Sequence, residues 1–180
     1  MIRQLLSRYA NVPPKRWRFA ANAFGRPRIA APRPAQPLDF NLSHTSEHIV
    51  CAVAAVSDVG IDVESRVPDE FLAIARQFFS PSERRWLNDA DAQESRDCFL
   101  TLWTLKEAYI KALGTGLSTP LDAFSVLPDK NDGALLLDDA PRPSGQRWYF
   151  KHWRLAADCR MAIAVRLPEG RAPDVTIRRF

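Results

Sequence analysis

Two carboxylates at alternate positions of an apolar segment are the residues whose spacing most directly suggests chemistry. In the segment 59–64, VGIDVE, the alternation predicts a β-strand in which Asp62 and Glu64 face one side, with Cα atoms about 6.8 Å apart. The ordinary interpretation is an amphipathic strand with its acidic face in water. However, Asp is a poor strand former, and the pair follows the most apolar run of the chain. The pair therefore favours a hard divalent cation, Mg²⁺ before Ca²⁺, because no calcium-loop spacing is present.

A second group of charged residues lies in the segment 103–114, WTLKEAYIKALG. Glu107 and Lys111 are one helical turn apart, which by itself indicates a surface ion pair worth a few tenths of a kcal/mol. Lys106 falls in the middle of an apolar arc, where an ammonium is costly unless it has an anion. A lysine in such a position also commonly extends past its apolar neighbours to water. The helix needs a second feature before these residues indicate a site.

The helix that positions these charges is predicted to end at Gly114. From Arg96 onward the chain contains neither Pro nor Gly until Gly114, which stands where a C-cap glycine belongs. At about 100° per residue, the apolar side chains fall on one arc, which predicts the core face: Phe99, Leu102, Trp103, Leu105, Tyr109, Ile110, Ala112 and Leu113.

Two strands are predicted before the acidic pair. Residues 38–46 alternate and then reach a polar corner with Ser43 and His44, although a lone histidine beside hydroxyls is more often a turn residue. The run Ile49–Val56 predicts one fully buried strand or two, and Ser57 with Asp58 predicts the turn that follows.

The remaining segments predict the other helices, strands and loops of the molecule. They are a short helix over 2–10, a proline-rich extended loop over 24–37, a helix over 71–79, a second helix begun by Ser80, Pro81 and the capping-box Glu83, a strand over 121–127, a loop over 128–145 and an antiparallel hairpin of 148–155 with 159–167. The segments 48–56 and 159–165 share a pattern of small and branched residues. This similarity predicts that the chain forms two similar halves, 1–66 and 67–180, with a ligand cleft between them.

Composition restricts the class of protein. A chain of 180 residues with 46% hydrophobic residues can form one domain or two small halves. A net charge of +4 favours anionic partners, but the absence of a dense basic cluster argues against nucleic acid. Three separated cysteines without disulfide or zinc spacing, and no apolar run of about 18 residues, predict a cytoplasmic protein without a membrane span.

Three motifs, in this order and spacing, resemble those of the 4′-phosphopantetheinyl transferases, specifically the long, surfactin-synthetase-activating type. They are FNLSH at 40–44, VGIDVE at 59–64 and WTLKEAYIKA at 103–112. Each motif alone is weak, but GxDxE followed downstream by WxxKEAxxKA is specific. The resemblance extends from about Pro13 to the final hairpin, which is nearly the whole chain.

The resemblance implies an enzyme that moves the 4′-phosphopantetheine arm of coenzyme A onto a serine of an apo carrier protein and releases adenosine 3′,5′-bisphosphate. Asp62, Glu64 and Glu107 would hold Mg²⁺, or Mn²⁺, against the coenzyme A pyrophosphate. Glu107 would also take the proton of the carrier serine, and Lys111 would neutralise or protonate the leaving phosphate. Lys106 would contact the phosphates as well, which would supply the anion that its position requires.

The same resemblance implies a binding site for the nucleotide end of coenzyme A. Ser43 and His44 match family positions that bind the 3′-phosphate. Arg26 and Pro27 match a turn that lies beside the adenine. The implied partner is an acidic apo carrier protein, acyl or peptidyl.

The implied fold is α+β, a pseudo-dimer of two similar halves that each contain a small antiparallel sheet with packed helices. Members of this type normally carry several dozen residues before the helix that begins here at Ile2, so the first half is expected to be truncated at its front. The pseudo-dimer is expected to be monomeric. Two other functions stay open at this point. One is a degenerate member that binds coenzyme A or a carrier without catalysis, and the other is a metal-dependent phosphodiesterase that needs no carrier.

Overall fold

The computed structural model of the chain describes residues 1–55, 58–137, 145–171 and 173–179, and only the backbone of Leu117 and Leu137. The α-helices are α1 (Ile2–Leu6), α2 (Phe71–Phe78), α3 (Pro81–Asn88) and α4 (Ser95–Leu113). The strands are β1 (Arg18–Ala21), β2 (Pro27–Ala31), β3 (Asp39–His44), β4 (Ile49–Ala54), β5 (Val59–Glu64), β6 (Ser125–Pro128), β7 (Ala134–Leu137), β8 (Gln146–Ala156) and β9 (Cys159–Pro168). Single 3₁₀ turns lie at Pro14–Arg16, Gly116–Ser118 and Leu121–Ala123.

A three-stranded antiparallel sheet in the order β5-β9-β8 joins the acidic strand to the C-terminal hairpin. Asp62 is the register partner of Ala162, and Glu64 that of Arg160. The odd residues of β5 (Val59, Ile61 and Val63) pack with alternate residues of β9 in one apolar cluster. The even residues of β5 consequently face the opposite side of the sheet, where α4 packs.

Helix α4 is buried on most of its circumference rather than along a single arc. The predicted core face is largely correct, but Thr101, Thr104 and Ala108 are also buried. A methyl group at Gly60 would overlap the Ala108 carbonyl oxygen and the backbone nitrogen of Ala112, so β5 and α4 approach each other at backbone distance. The predicted C-cap is confirmed, because Gly114 adopts the left-handed conformation with φ 70°.

The β3–β4 hairpin lies beside β5 and is connected to it by side chains. The Ile61 amide donates to Oδ1 of Asn41 at 3.0 Å, and the Val63 amide donates to Oγ of Ser43 at 3.4 Å. Because these amides would otherwise be buried without a partner, the polar side chains of β3 stand in for a backbone ladder.

The structure corrects several predicted elements. Residues 27–31, predicted as extended loop, form β2 and pair antiparallel with β1; Pro27 is tolerated at the first position of a strand because no ladder donor is required there. The strand predicted over 121–127 is a 3₁₀ turn followed by β6. Strand β4 is only partly buried, and Ile49 is exposed, since one face of this two-stranded hairpin lies outside the core.

The helix predicted over 2–10 ends at Leu6, and the loop predicted over 128–145 contains β7, which pairs with β6 and packs Leu136 against the core. Further predicted elements agree with the structure. The capping box of Ser80 with Glu83 and the terminal hairpin of β8 with β9 are both confirmed, as is the α+β class with small antiparallel sheets and few helices. Val56 of the predicted strand, Ser57 of the predicted turn and 138–144 of the predicted loop lie outside the described residues. The division into halves at residue 66 stays a prediction. Within the described ranges, no helix combines the length and the apolar character needed to cross a bilayer.

Candidate functional site

The acidic face of β5 is covered by α4 and is not a solvated strand face. Asp62 is 2% exposed, and Glu107 and Lys111 project from the helix that packs over it. The backbone contact at Gly60 brings the two elements close enough for their side chains to meet. The ordinary interpretation of the sequence, an acidic face in water, is therefore wrong for Asp62.

Ser43, Asp62 and Lys111, which we call the Asp62 cluster, form a closed set of hydrogen bonds. Lys111 Nζ donates to Asp62 Oδ1 at 2.5 Å and to Ser43 Oγ at 2.9 Å. The Ser43 hydroxyl in turn donates to Asp62 Oδ1 at 2.8 Å. The cluster joins β3, β5 and α4, and its lysine side chain is 29% exposed.

The second oxygen of the same carboxylate is buried without a partner. Within the described part of the chain, Asp62 Oδ2 has no hydrogen-bond donor. A buried acceptor of this kind is costly unless something binds it. Carboxylate oxygens are the ligands that hard divalent cations prefer, so this atom fits a metal ligand.

Glu64 and Glu107 complete the acidic surroundings. Burial, with repulsion from Asp62 and Glu107, raises the pKa of Glu64 to about 7, while Lys111 opposes the shift. Burial and repulsion from Asp62 also raise the pKa of Glu107, again against Lys111. Three carboxyl groups are therefore close enough to affect one another's protonation, with one lysine among them. A divalent cation would relieve this repulsion.

The three carboxylates are not oriented as a finished metal site. Among the described residues, no three Asp, Glu, His or Cys side chains are grouped so that they could hold a metal ion together. Asp62 Oδ1 is instead bonded by Lys111 and Ser43. The donor chemistry fits a cation, and the side chains would have to turn towards it.

Lys106 does not have the environment that the resemblance implies. Its side chain is fully buried, and its ammonium donates to both carboxylate oxygens of Glu83 at 2.7 Å and to the Phe124 carbonyl at 2.8 Å. All of its donors are used inside the protein, so in this structure Lys106 is not available for the phosphate contact that the resemblance implies. The prediction that Lys106 requires an anion is confirmed, and the anion is Glu83.

Arg26 is also directed into the protein. Its guanidinium donates to Asp39 Oδ2 at 2.6 Å and to the Val59 carbonyl at 2.8 Å, and a third bond goes to the Ala112 carbonyl. The side chain is 5% exposed, so it offers no charge to a ligand, whereas the adjoining Pro27 is exposed. Burial lowers the pKa of Arg26, against the attraction of Asp39.

Ser43 and His44 are neighbours with different surroundings. Ser43 is buried in the Asp62 cluster, and His44 is exposed at the end of β3. Successive residues of a strand point to opposite faces, which separates the two side chains.

Sequence reasoning missed Asp39 and Asn41. Both are buried, and together with Ser43 they occupy alternate positions of β3. Polar residues at i, i+2 and i+4 of a strand that lies next to an apolar run are a detectable signal, because they share one face. That face meets β5 and Arg26, which satisfy it.

The chain was compared with known proteins by sequence. The model of the 4′-phosphopantetheinyl transferase superfamily matches residues 58–164, a stretch that contains β5 and α4. A 4′-phosphopantetheinyl transferase of Bacillus subtilis is 38% identical over 151 residues, which are 83% of this chain and 65% of that protein. The 4′-phosphopantetheinyl transferase Sfp of Bacillus subtilis strain 168 is 34% identical over 171 residues, 94% of this chain and 72% of that protein.

A comparison of structures agrees on the fold. A holo-(acyl-carrier-protein) synthase from Bacillus anthracis, solved in complex with coenzyme A, matches with a TM-score of 0.51 at 18% identity. The match covers 61% of this chain and 95% of the synthase. This chain spans 65% of the length of the Bacillus subtilis relative and 52% of that of a further relative, from Aneurinibacillus migulanus. The matched stretch and these identities show that the chain belongs to the 4′-phosphopantetheinyl transferase superfamily.

Proposed function

We propose that the chain transfers the 4′-phosphopantetheine arm of coenzyme A to a serine of an apo carrier protein. The bond that forms joins the serine oxygen to the phosphorus of the arm, and the bond that breaks is in the pyrophosphate, which releases adenosine 3′,5′-bisphosphate. The observation that supports this most is the Asp62 carboxylate, buried between β5 and α4 with one oxygen bonded by a lysine and the other unpartnered.

We assign the metal ligands to Asp62, Glu64 and Glu107. Their oxygen donors suit Mg²⁺, with Mn²⁺ as an alternative. Burial, and then repulsion between the carboxylates, raises the pKa values of the two glutamates, and a cation would relieve the repulsion. A bound divalent ion would stabilise the negative charge that develops on the pyrophosphate.

The side chains of α4 are assigned to proton and charge transfer. Glu107 takes the proton of the attacking serine at a carboxylate oxygen, directly or through water. Lys111 stabilises the charge on the departing phosphate, for which its partly exposed ammonium is available. No covalent enzyme intermediate is required, because phosphoryl transfer depends mainly on position and charge.

The nucleotide end of coenzyme A is assigned to the edge formed by β2 and β3. His44 is exposed and is assigned to the 3′-phosphate together with Ser43, whose hydroxyl also orients Asp62 and Lys111. The turn at Arg26 and Pro27 is assigned to the adenine. Because the Arg26 guanidinium is internal, this contact would come from the backbone and from the exposed proline ring.

The proposed partner is an acidic acyl or peptidyl carrier protein. The net charge of +4 favours an acidic partner and predicts association that weakens with salt. The three thiols are free and suit a reducing compartment, so we propose a cytoplasmic enzyme that acts as a monomer.

The test is the intact mass of an apo acyl carrier protein after incubation with the chain, coenzyme A and Mg²⁺. We expect the mass to increase by one phosphopantetheine arm, and the increase to disappear with EDTA and with Asp62→Asn. Asp69→Asn is the matched control, because the Asp69 side chain is 96% exposed and makes only a surface ion pair.

Two outcomes would contradict the proposal. The first is an unmodified carrier, acyl and peptidyl alike, in the presence of coenzyme A that calorimetry shows to be bound; this would favour binding without catalysis. The second is release of adenosine 3′,5′-bisphosphate when no carrier is present, which would favour a phosphodiesterase.

A further inference from the structure

The turn between β1 and β2, residues 22–26, binds the C-terminal end of α4 across the molecule. Asn22 Nδ2 donates to the Gly114 carbonyl at 2.6 Å, and the Arg26 guanidinium donates to the Ala112 carbonyl. The last carbonyls of a helix lack partners within the helix, and a cation there also interacts favourably with the helix dipole. The turn therefore caps α4 from a segment about ninety residues earlier in the chain.

The turn is held in one conformation by Asn22. Its Oδ1 accepts from the amides of Phe24 and Arg26, both at 2.9 Å. The Gly25 amide donates to the Asn22 carbonyl at 3.0 Å, and Gly25 has the positive φ of 82° that favours glycine. The Asn22 side-chain amide therefore has two roles: its oxygen stabilises the turn, and its nitrogen donates to the helix.

The contact between turn and helix is tight. A methyl group at Gly114 would lie 3.0 Å from Arg26 Cδ and 3.1 Å from Asn22 Nδ2. A shift of the helix end towards the turn is therefore blocked by close contact, and a shift away from it would break both hydrogen bonds.

Arg26 connects the same three elements that supply the Asp62 cluster. Its guanidinium binds Asp39 of β3, the Val59 carbonyl of β5 and the Ala112 carbonyl of α4. The cluster takes its serine from β3, its aspartate from β5 and its lysine from α4. One buried side chain thus fixes the relative positions of the three segments, and it makes no contact with the cluster itself that the structure records.

We propose that Asn22 and Arg26 are positioning residues, which hold the end of α4 so that Lys111 meets Asp62. This inference rests on the proposed function for its catalytic consequence. It departs from the role in coenzyme A binding that the resemblance implies for Arg26, because the guanidinium acts on the protein and not on the ligand.

Asn22→Asp is the sharpest test. It keeps the oxygen that shapes the turn, removes the donor to the Gly114 carbonyl and adds a charge that the helix end disfavours. The matched control is Asn131→Asp, the same change at an exposed turn residue of the β6–β7 hairpin. Arg26→Lys keeps a cation beside Asp39 but cannot span three acceptors, and Arg85→Lys on the exposed face of α3 is its control.

Two measurements are made on each variant. Hydrogen exchange by mass spectrometry is expected to accelerate about tenfold in a peptide covering 105–116, with no change in a peptide covering the β8–β9 hairpin. In the carrier-modification assay, kcat is expected to fall about tenfold, while KM for the carrier stays within about twofold because neither residue is assigned a contact with the carrier.

Unchanged exchange over 105–116, or unchanged kcat, in both Asn22→Asp and Arg26→Lys would overturn the inference. Exchange that rises equally over the whole chain would also overturn it, because the residues would then be structural only. A wild-type chain that modifies no carrier would remove the proposed function, and the exchange data would still decide whether the turn holds the helix.

Discussion

Two lysines five residues apart on α4 each bind a buried carboxylate, and their surroundings differ in kind. Lys106 is fully buried with Glu83, and every oxygen and donor of that pair is used. Lys111 is partly exposed and binds only one oxygen of Asp62, while the other oxygen has no partner in the described chain. A saturated pair has nothing to offer a ligand. An incomplete pair next to further carboxylates can exchange a lysine contact for a metal or a phosphate.

The Glu83 pair shows how the saturated type is built. Glu83 accepts from the Ser80 amide as the capping-box residue of α3, and it also accepts from the Val126 amide of β6. The Lys106 ammonium lies 4.1 Å from the centre of the Phe124 ring, a cation–π contact. These bonds join α3, α4 and β6. The Lys106–Glu83 pair therefore fixes the position of α4, the helix that also carries Glu107 and Lys111.

Removing the charge from the saturated pair is expected to have the largest effect. Lys106→Met leaves Glu83 buried without its cation, which should lower the free energy of unfolding by about 3–5 kcal/mol. Urea denaturation measures this, with Lys130→Met at an exposed lysine as the control. Addition of Glu83→Gln should restore part of the loss. A decrease below about 1 kcal/mol for the single variant would mean that the two pairs are equivalent.

The incomplete pair should show the opposite balance of stability and activity. Asp62→Asn removes one of three mutually repelling carboxylates and leaves Lys111 able to reach water, so the free energy of unfolding should change by less than about 1 kcal/mol. Carrier modification should fall about 1,000-fold, since a ligand of the proposed metal is lost. Urea denaturation measures the change in stability, and the mass assay measures the change in activity. Retained activity, or a loss of stability as large as that of Lys106→Met, would mean that the two lysine–carboxylate pairs do not differ in role.

A divalent cation should stabilise only the protein with an intact Asp62. At 100 times its dissociation constant, Mg²⁺ should add about 2.7 kcal/mol to the unfolding free energy of the wild-type chain. Differential scanning fluorimetry with and without MgCl₂ detects this as a higher Tm, with Asp69→Asn behaving as wild type and Asp62→Asn not responding. An equal response of Asp62→Asn would show that the ion binds elsewhere.

The smallest effect expected is on pH dependence. Burial and neighbouring carboxylates raise the pKa of Glu64 to about 7, from an ordinary value of 4.5, so the folded state holds its proton more firmly than the unfolded state. Metal-free protein should therefore lose stability as pH rises from about 4.5 to about 7, with little further change above. Tm should fall by several degrees over this range, and by less than the full shift would give, because solvent screens this partly exposed carboxyl.

Glu64→Gln provides the control for this prediction, because glutamine keeps the shape and cannot titrate. The slope of Tm against pH between 5 and 7 should be shallower in this variant than in wild type. An identical slope would assign the pH dependence to other groups. It would also mean that Glu64 does not belong with the interacting carboxyl groups of Asp62 and Glu107.

The partner of each lysine shows where sequence reasoning stopped. The helix, its Gly114 end and the shared face of Asp62 and Glu64 follow from residues close together in the chain, and the structure agrees with all three. The sequence also required an anion for Lys106, since Lys106 lies amid apolar residues. It had no means of choosing Glu83 over a phosphate, because Glu83 is twenty-three residues away.

Arg26 shows the same limit from the other direction. Its motif indicated a loop beside a ligand, whereas its guanidinium binds a carboxylate and two carbonyls on three different elements. Local sequence fixes the turn, through Asn22 and Gly25, but not the side on which the arginine points.

The sequence by itself determined the long helix α4 with its Gly114 end, the terminal hairpin and the residue types able to hold a divalent cation, because periodicity, capping and donor chemistry act over a few residues. Only the tertiary structure decided which charges share a space. Whether a carboxylate meets a lysine, an amide or no donor depends on how elements distant in the chain pack, and at this site the close approach of β5 to α4 at Gly60 sets that geometry.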